Sequence, residues 1–407
     1  MRLTAQQRIS LTVLVAALGY FVDVFDLQLF SMVRVSSLKS LGLSPEAITS
    51  SGSLLLNWQM AGMLLGGLVW GVTGDKKGRV SVLFGTILVY SIGNIANAFV
   101  TTIPAYAAAR FFTGLGLAGE IGAGVTLASE LLPKSSRGYG TMIIVACGVM
   151  GPLVAGYVAE LLNWRMVYLA GGCLGLLLLV LRVSVNESGL FGQLKDEPTV
   201  TRGQLRMLFC DQARRLRYVL CVAAAWPIWF ILGSIVIFCP EIGQALDINE
   251  PLKATTATVA YYVGITLGGV ICCLLSQVFQ SRRKIMAIFL VGTAATTGVL
   301  LCSRGLSSHA FYGLVGLLGF GNGFWTLFLT TTAEQFGTNL RATATTTAPN
   351  FVRASVILNA FLISALKPAL GYLASVQAIT VLCFAVAFAA VWLMRETFGR
   401  DLNFTER

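Results

Sequence analysis

The 407-residue chain is poor in charge and has a single histidine, His309. Charged residues make up 12% of it, where soluble globular domains carry about a quarter. With 56% of residues hydrophobic, that shortage excludes an ordinary water-soluble protein, because a core of this size cannot hide so much apolar side chain. One histidine, expected at an outer helix end, excludes a relay of histidines carrying protons through a membrane. A nucleophile–base pair, a phosphate-binding glycine loop and a cluster of metal ligands are all missing, which argues against an enzyme, a nucleotide-driven pump and a metalloprotein. No cofactor is expected. Nine cysteines are scattered, several inside apolar runs, such as Cys147, Cys173, Cys221, Cys272 and Cys273. Without redox or metal spacing they read as small buried hydrophobes.

What the chain does have is a set of long apolar runs. Crossing about 30 Å of hydrocarbon takes roughly 20 residues of helix. Runs of that length lie at about 11–33, 51–72, 80–100, 104–130, 141–162, 166–182, 218–239, 255–279, 284–302, 309–333, 344–368 and 372–394. Backbone groups in lipid must be bonded within their own segment, so these runs are expected to be helices. The expected fold class is an all-α membrane protein with twelve transmembrane helices in two pseudo-symmetric six-helix bundles. Residues 1–182 form the first bundle, 183–217 a cytoplasmic linker and 218–407 the second bundle. The first run follows Arg2 and Arg8 with no small-residue cleavage site after it, and reads as a retained helix.

The net charge of +11 does not point to nucleic acid, since the basic residues sit between the apolar runs. Placing both termini in the cytoplasm puts 21 of the 29 lysines and arginines on the inside, the bias expected of a multi-pass protein of the cell (inner) membrane. Within the linker, Arg202–Arg217 mixes apolar residues with five arginines, a pattern expected of a basic amphipathic helix on the inner membrane surface or of a solvated linker. An internal repeat supports the two halves. Ala128-Ser129-Glu130 is followed by Arg137-Gly138, and Thr332-Ala333-Glu334 by Arg341-Ala342, at an offset of 204 residues.

The loop after the second run, Gly71 through Asp75 to Gly78-Arg79, closely resembles the signature loop of the major facilitator superfamily. Its aspartate can face a helix N-terminus, where negative charge meets the positive end of the dipole. The resemblance implies a cytoplasmic gate built from Asp75, Arg79, Glu130 and Arg137, with Glu334 and Arg341 as the second-half counterparts. The equivalent second-half loop, Ser276 to Lys284, keeps the basic end but lacks the aspartate. Arg110 through Gly114, Gly116 and Glu120 is similar to a stretch of metabolite–proton symporters and sugar porters, as is Asn186-Glu187-Ser188 after the sixth run. Gly151-Pro152 with Ala155-Gly156 is similar instead to an element of proton-driven exporters.

Asp23 and Asp26, three apart in the first run, lie on nearly one helix face. An ionised carboxylate at that depth costs at least roughly 2.5–3.5 kcal/mol and is retained where it meets a cavity or a partner. Low-dielectric surroundings favour the neutral form of any carboxyl group, the property a proton-binding step needs. Symporters of aromatic acids and related metabolites carry a similar aspartate pair. Asp23, Asp26 and Glu120 are therefore candidates for proton coupling or substrate binding, and pairing of the aspartates with Arg34 or Arg110 is the structural alternative. Arg110 and Arg353 are the basic residues deepest in the runs, with a substrate anion or a carboxylate of the protein as partner. Asn57, Gln59, Trp229, Tyr261, Asn322, Trp325, Asn350 and Arg353 are candidates to line a cavity among apolar walls. Pro227, between Trp226 and Trp229, removes a backbone bond and is expected to loosen or kink its helix.

These features together predict a secondary active transporter working by alternating access. The favoured form is a proton-coupled symporter importing a small polar metabolite, an organic anion or amino-acid-like compound. The alternative is a proton-driven exporter of a drug-like or siderophore-like compound. Its expected partners are the substrate, protons and the lipid bilayer, with no nucleic acid, and the chain is expected to act as a monomer.

Overall fold

Caps and prolines set the helix starts. Ser44 accepts from the Ala47 amide with Pro45 in the first turn, and Thr102 accepts from the Ala105 amide with Pro104 beside it. Asp211, Ser281 and Ser307 cap three further helices in the same way, each satisfying an amide that a helix start otherwise leaves bare. The computed structural model describes residues 5–120, 122, 124–125, 137–181, 205–401 and 404–406.

Among these, the first half contains α1 (Ala5–Ser40), α2 (Pro45–Lys77), α3 (Arg79–Ala98), α4 (Ile103–Leu117), α5 (Arg137–Val149), α6 (Gly151–Leu161) and α7 (Trp164–Leu181). The remainder holds α8 (Leu205–Cys210), α9 (Gln212–Phe230), α10 (Cys239–Ala245), α11 (Ala254–Val278) and α12 (Arg282–Cys302). It ends with α13 (Ser308–Gly321), α14 (Trp325–Gln335), α15 (Arg341–Leu370) and α16 (Tyr372–Leu393). No strand occurs among the described residues. Ten helical stretches are long and apolar enough to cross a membrane, with Met142–Leu161 spanning α5 and α6 and Ser308–Gln335 spanning α13 and α14. Trp164–Val180 is a shorter apolar helix.

The helices outrun the hydropathy windows, because an α-helix continues through polar residues as long as its amides find carbonyls. Thus α2 extends to Lys77, and α9 begins at Gln212, six positions before the expected 218, where Asp211 supplies the cap. The basic segment before it is consequently divided into a short α8 and the start of α9; its first residues lie outside the described ones.

Around α1 pack α5, α6 and α7, while α3 joins α4 to α7 and α2 lies along α4. In the other half α11 pairs with α13, and α9 with α15 and α16. Gly114 makes the α2–α4 approach possible: a β-carbon there would stand 2.1 Å from the Gln59 carbonyl oxygen, so only glycine fits. The two groups meet along α2 and α15 on one side, and along α11 with α5 and α6 on the other. Pro227 lies inside α9, and four residues on the backbone passes into a π-helix, Ile231–Val236. The proline ring cannot donate the bond a regular helix requires, and the helix widens next to it rather than breaking.

Candidate functional site

A cavity lies where the two groups of helices meet. Tyr20, Val24 and Leu27 of α1 and Val149 of α5 form one wall. The other is built by Ile228, Trp229 and Leu232 around the π segment, Tyr261, Tyr262 and Ile265 of α11, Trp325 of α14 and Arg353 of α15. The space left for the centre of a water molecule is about 20 Å3, enough for a single water. The conformation is therefore closed around its centre.

Arg353 is the one charged residue of the lining, and it is fully buried. Its guanidinium lies 5.7 Å from the Trp229 ring centre and 6.0 Å from that of Trp325, within cation–π range. Nη1 donates to Asn350 at 3.2 Å, Nε has no hydrogen-bond partner, and Nη2 stands 3.9 Å from Oδ2 of the buried Asp23. That last distance is an ion pair too long for a hydrogen bond. Asp23 comes from α1 and Arg353 from α15, so the pair joins the two halves. Trp325 Nε1 donates to the Tyr20 hydroxyl at 3.2 Å, a second link across the same seam.

One helical turn along α1, Asp26 belongs to a different polar cluster. Both of its carboxylate oxygens are buried without a hydrogen-bond partner. Asp23, Arg110 and Asn94 are the groups that act on its charge. Arg110 donates to Gln59 through Nη2 and lies 5.1 Å from the Phe30 ring and 5.7 Å from that of Tyr168, while its Nε and Nη1 have no partner. The Tyr106 and Tyr168 hydroxyls share a hydrogen bond of 2.7 Å beside it. Buried polar groups are usually satisfied, so this cluster is an interior site with hydrogen-bonding capacity held in reserve.

Glu120 is not brought to either aspartate. It lies ten residues of chain beyond Arg110, past the end of α4, and accepts from Thr86 of α3 at 3.4 Å. Arg34 also departs from the pairing weighed for it: it crosses to Glu241 of α10 at 3.2 Å and lies over Phe238 at 4.6 Å. Thr49 of α2 donates to the same carboxylate oxygen at 3.2 Å. Asp23 therefore takes its partner from the far half, and neither suggested arginine is in ion-pair contact with it.

Asp75 is buried at the start of α15. It accepts from the Ala342 amide at 3.2 Å, the Thr343 amide at 2.8 Å and the Thr343 hydroxyl at 2.6 Å. A carboxylate at a helix N-terminus is favoured by bare amides and by the dipole, and here it caps a helix of the other half. Beside this latch Asn350 donates to the Ala118 carbonyl at 2.7 Å. A β-carbon on Gly122 would stand 2.1 Å from Thr346 Oγ1, so α15 can lie this close only against glycine. In the second half Glu334 accepts from Arg282 at 3.3 Å and from Thr397 at 2.8 Å, and Arg282 also donates to Ser276 at 2.6 Å. A serine and a glutamate thus hold the basic end of the loop that lacks an aspartate. Arg341 donates through Nε to the Ala333 carbonyl at 3.2 Å. Glu130 and the side chains of Arg79 and Arg137 lie outside the described residues.

Of the residues expected to line a cavity, Trp229, Tyr261, Trp325 and Arg353 do so. Asn322 stands behind the wall and donates to the Tyr261 hydroxyl at 2.8 Å. Asn350 holds Arg353, Gln59 holds Arg110, and Asn57 is partly buried with its Oδ1 unbonded. Tyr262 stands beside Tyr261 in the aromatic wall, and Tyr20 completes it without having been chosen from the sequence. Tyr20 lies three residues before Asp23 and thus on the same helix face, a spacing that was available as a signal.

The sequence profile of the Major Facilitator Superfamily matches residues 16–358. The niacin transporter NiaP of Acinetobacter baylyi is 24% identical over 433 residues, covering 96% of this chain and 94% of that protein. The cis,cis-muconate transport protein of the same organism is 27% identical over 374 residues, covering 89% and 87%. Among solved structures, the proton:xylose symporter XylE bound to 6-bromo-6-deoxy-D-glucose superposes with a TM-score of 0.76 at 18% identity, over 98% of both chains. That likeness carries the twelve-helix, two-bundle fold. With a profile match over most of its length, a closed central cavity between two helical groups and Asp75 latching α2 to α15, the chain belongs to the Major Facilitator Superfamily of membrane transporters.

Proposed function

We propose that this transporter is a proton-coupled symporter importing a small organic anion or amino-acid-like metabolite, residues 1–182 and 218–407 rocking about the central cavity as the linker 183–217 joins them. The reading places it in the cell membrane with both termini inside, acting as a monomer. The observation that carries it is the buried Asp23–Arg353 pair spanning the two halves at the cavity. Relatives named for niacin and muconate transport support an anion.

The pair couples two bound species by electrostatics. With the site empty, Asp23 neutralises Arg353. An arriving anion competes for that guanidinium and draws its charge away from a buried carboxylate. Keeping that carboxylate ionised costs at least roughly 2.5–3.5 kcal/mol at membrane depth, equivalent to about a hundredfold in affinity. Protonating Asp23 removes the cost, so anion and proton bind better together than either alone, and this cooperativity is reciprocal. Asp26, beside Arg110 and Asn94, offers a second carboxyl within one helical turn from which a proton can be supplied. Alternating exposure of the site to each side then requires breaking the Asp75 latch on one face and the Arg34–Glu241 contact on the other.

The test is uptake into proteoliposomes under an imposed inward proton gradient. Accumulation that collapses with a protonophore is expected, and Asp23→Asn is expected to hold the internal-to-external ratio near one while retaining exchange. Full gradient-driven accumulation by both Asp23→Asn and Asp26→Asn would sink the coupling scheme. Faster efflux of preloaded compound under the same gradient, with no accumulation, would establish an exporter instead.

A further inference from the structure

Asn350 of α15 touches both the cavity residue Arg353 and the inner seam between the halves. Its Oδ1 accepts from Nη1 of Arg353 at 3.2 Å. Its Nδ2 donates to the Ala118 carbonyl of the first half at 2.7 Å and to the Thr346 carbonyl of its own helix at 2.7 Å. The side chain is fully buried, and a β-carbon on Gly67 of α2 would stand 2.9 Å from that nitrogen. We infer that Asn350 is a positioning residue that relays the state of Arg353 to the inner seam. This rests on the reading that Arg353 receives the substrate's charge, and it supplies the path from that event to the face latched by Asp75.

The far end of the relay is an interruption in the fourth span. There α4 stops at Leu117, and helical bonding resumes at Glu120, after Ala118 and Gly119. A helix end leaves its last carbonyls without partners, and side chains from two other helices supply donors here. Trp70 of α2 donates to the Leu115 carbonyl at 2.7 Å, and Asn350 to that of Ala118. Trp70 belongs to the same half as α4, so its bond survives a separation of the halves. The Asn350 bond crosses the seam and does not. A second bond over this stretch, from the Thr345 hydroxyl to the Gly122 carbonyl, is longer at 3.4 Å, and Thr345 has the Arg341 carbonyl at 2.7 Å as a closer partner. The near end of the relay is the guanidinium. A carboxamide carries its acceptor and its two donors on one rigid plane, so an Oδ1 that follows Arg353 carries Nδ2 off Ala118. An anion that draws Arg353 aside therefore loosens α15 from α4, two helical turns from the Thr343 end that Asp75 caps.

The test reads the inner seam directly and needs neither substrate nor gradient. The full chain with a cysteine at Thr346, a position buried against Gly122, is treated in membranes with N-ethylmaleimide, and alkylation of that cysteine is followed by mass spectrometry. Asn350→Leu is expected to speed it about tenfold, the scale of one buried hydrogen bond left unmade. Arg353→Lys keeps the charge facing Asp23 but loses the planar fork that reaches Asn350, and is expected to speed it about threefold. Together they are expected to give the factor of the leucine variant alone, because Arg353 then has nothing to act through. Effects that multiply, to about thirtyfold, would show that Asn350 only packs the seam and would overturn the relay. Asn350→Asp keeps the shape and the acceptor facing Arg353 and loses the donor facing Ala118. It is expected to match the leucine variant, and protection equal to the parent's would overturn the relay as well. The native Cys272 and Cys383 are buried and report unfolding; if they react in the leucine variant, the isosteric aspartate variant takes its place in the cycle. Loss of proton-driven uptake leaves this result untouched, and a failed relay leaves symport standing.

Discussion

Arg353→Ala is expected to weaken anion binding by at least about a hundredfold and to abolish uptake at micromolar substrate. Two charge-assisted hydrogen bonds, each contributing about 1.5–3 kcal/mol net, are lost together. The same change removes the Arg353 charge from the buried Asp23, and breaking a buried pair from one side typically costs about 3–5 kcal/mol. The single variant is therefore expected to be less stable as well as inactive. The double variant Arg353→Ala with Asp23→Asn separates the effects: thermal stability returns towards that of the parent, because no unpaired charge remains, while binding stays lost. Arg353→Lys keeps the charge without the planar fork and is expected to fall between. Calorimetric titration beside a thermal melt reads both quantities. Retained binding in the alanine variant would remove Arg353 from the substrate site.

The second large effect is expected from Asp75→Ala. Asp75 accepts three hydrogen bonds from the first turn of α15 across the seam between the halves. The donors regain water when that face opens, so the loss falls on the closed state alone. A loss of about 2–4 kcal/mol shifts the closed-to-open ratio by roughly 30- to 1,000-fold. A cysteine placed at Thr346, buried against Gly122 in the closed state, is expected to become readily alkylated in membranes once Asp75 is replaced, and to be protected when Asp75 is present. Unchanged protection would show that α15 is held by packing with α2 and not by its cap.

How far these residues were legible in advance follows from the range of the forces involved. The spans and the Asp75 loop were readable because hydropathy and turn chemistry are local: lipid demands continuous helices wherever the chain crosses. Asp23 and Asp26 stood out because a carboxylate in an apolar run needs an explanation. Their partners did not. Arg34 and Arg110 looked suitable from nearness along the chain or from depth, yet Asp23 meets Arg353 in the opposite half, Arg34 meets Glu241, and Arg110 bonds Gln59. Pairing across a seam depends on how two bundles dock, which one-dimensional spacing does not encode. Tyr20 was passed over for the same reason, since a tyrosine in an apolar helix is ordinary until Trp325 and Arg353 are placed opposite it. Asn350 and Gln59 were chosen as lining and turned out to hold the arginines instead; an amide's spacing says that it needs a partner without saying which.

The π segment Ile231–Val236 separates the cavity residues Ile228 and Trp229 from Glu241, the carboxylate that Arg34 grips on the face opposite Asp75. A π-helix bonds each amide one residue further back than an α-helix does, so this stretch stores surplus chain like a spare link in a watch strap. Releasing that link would turn α10 by about 100° about its axis, the angle one residue occupies in an α-helix. Glu241 would swing away from Arg34 with no change of its own side-chain rotamer. A contact on Trp229 would thus lie next to the one stretch whose return to α-helix would turn the helix that carries Glu241.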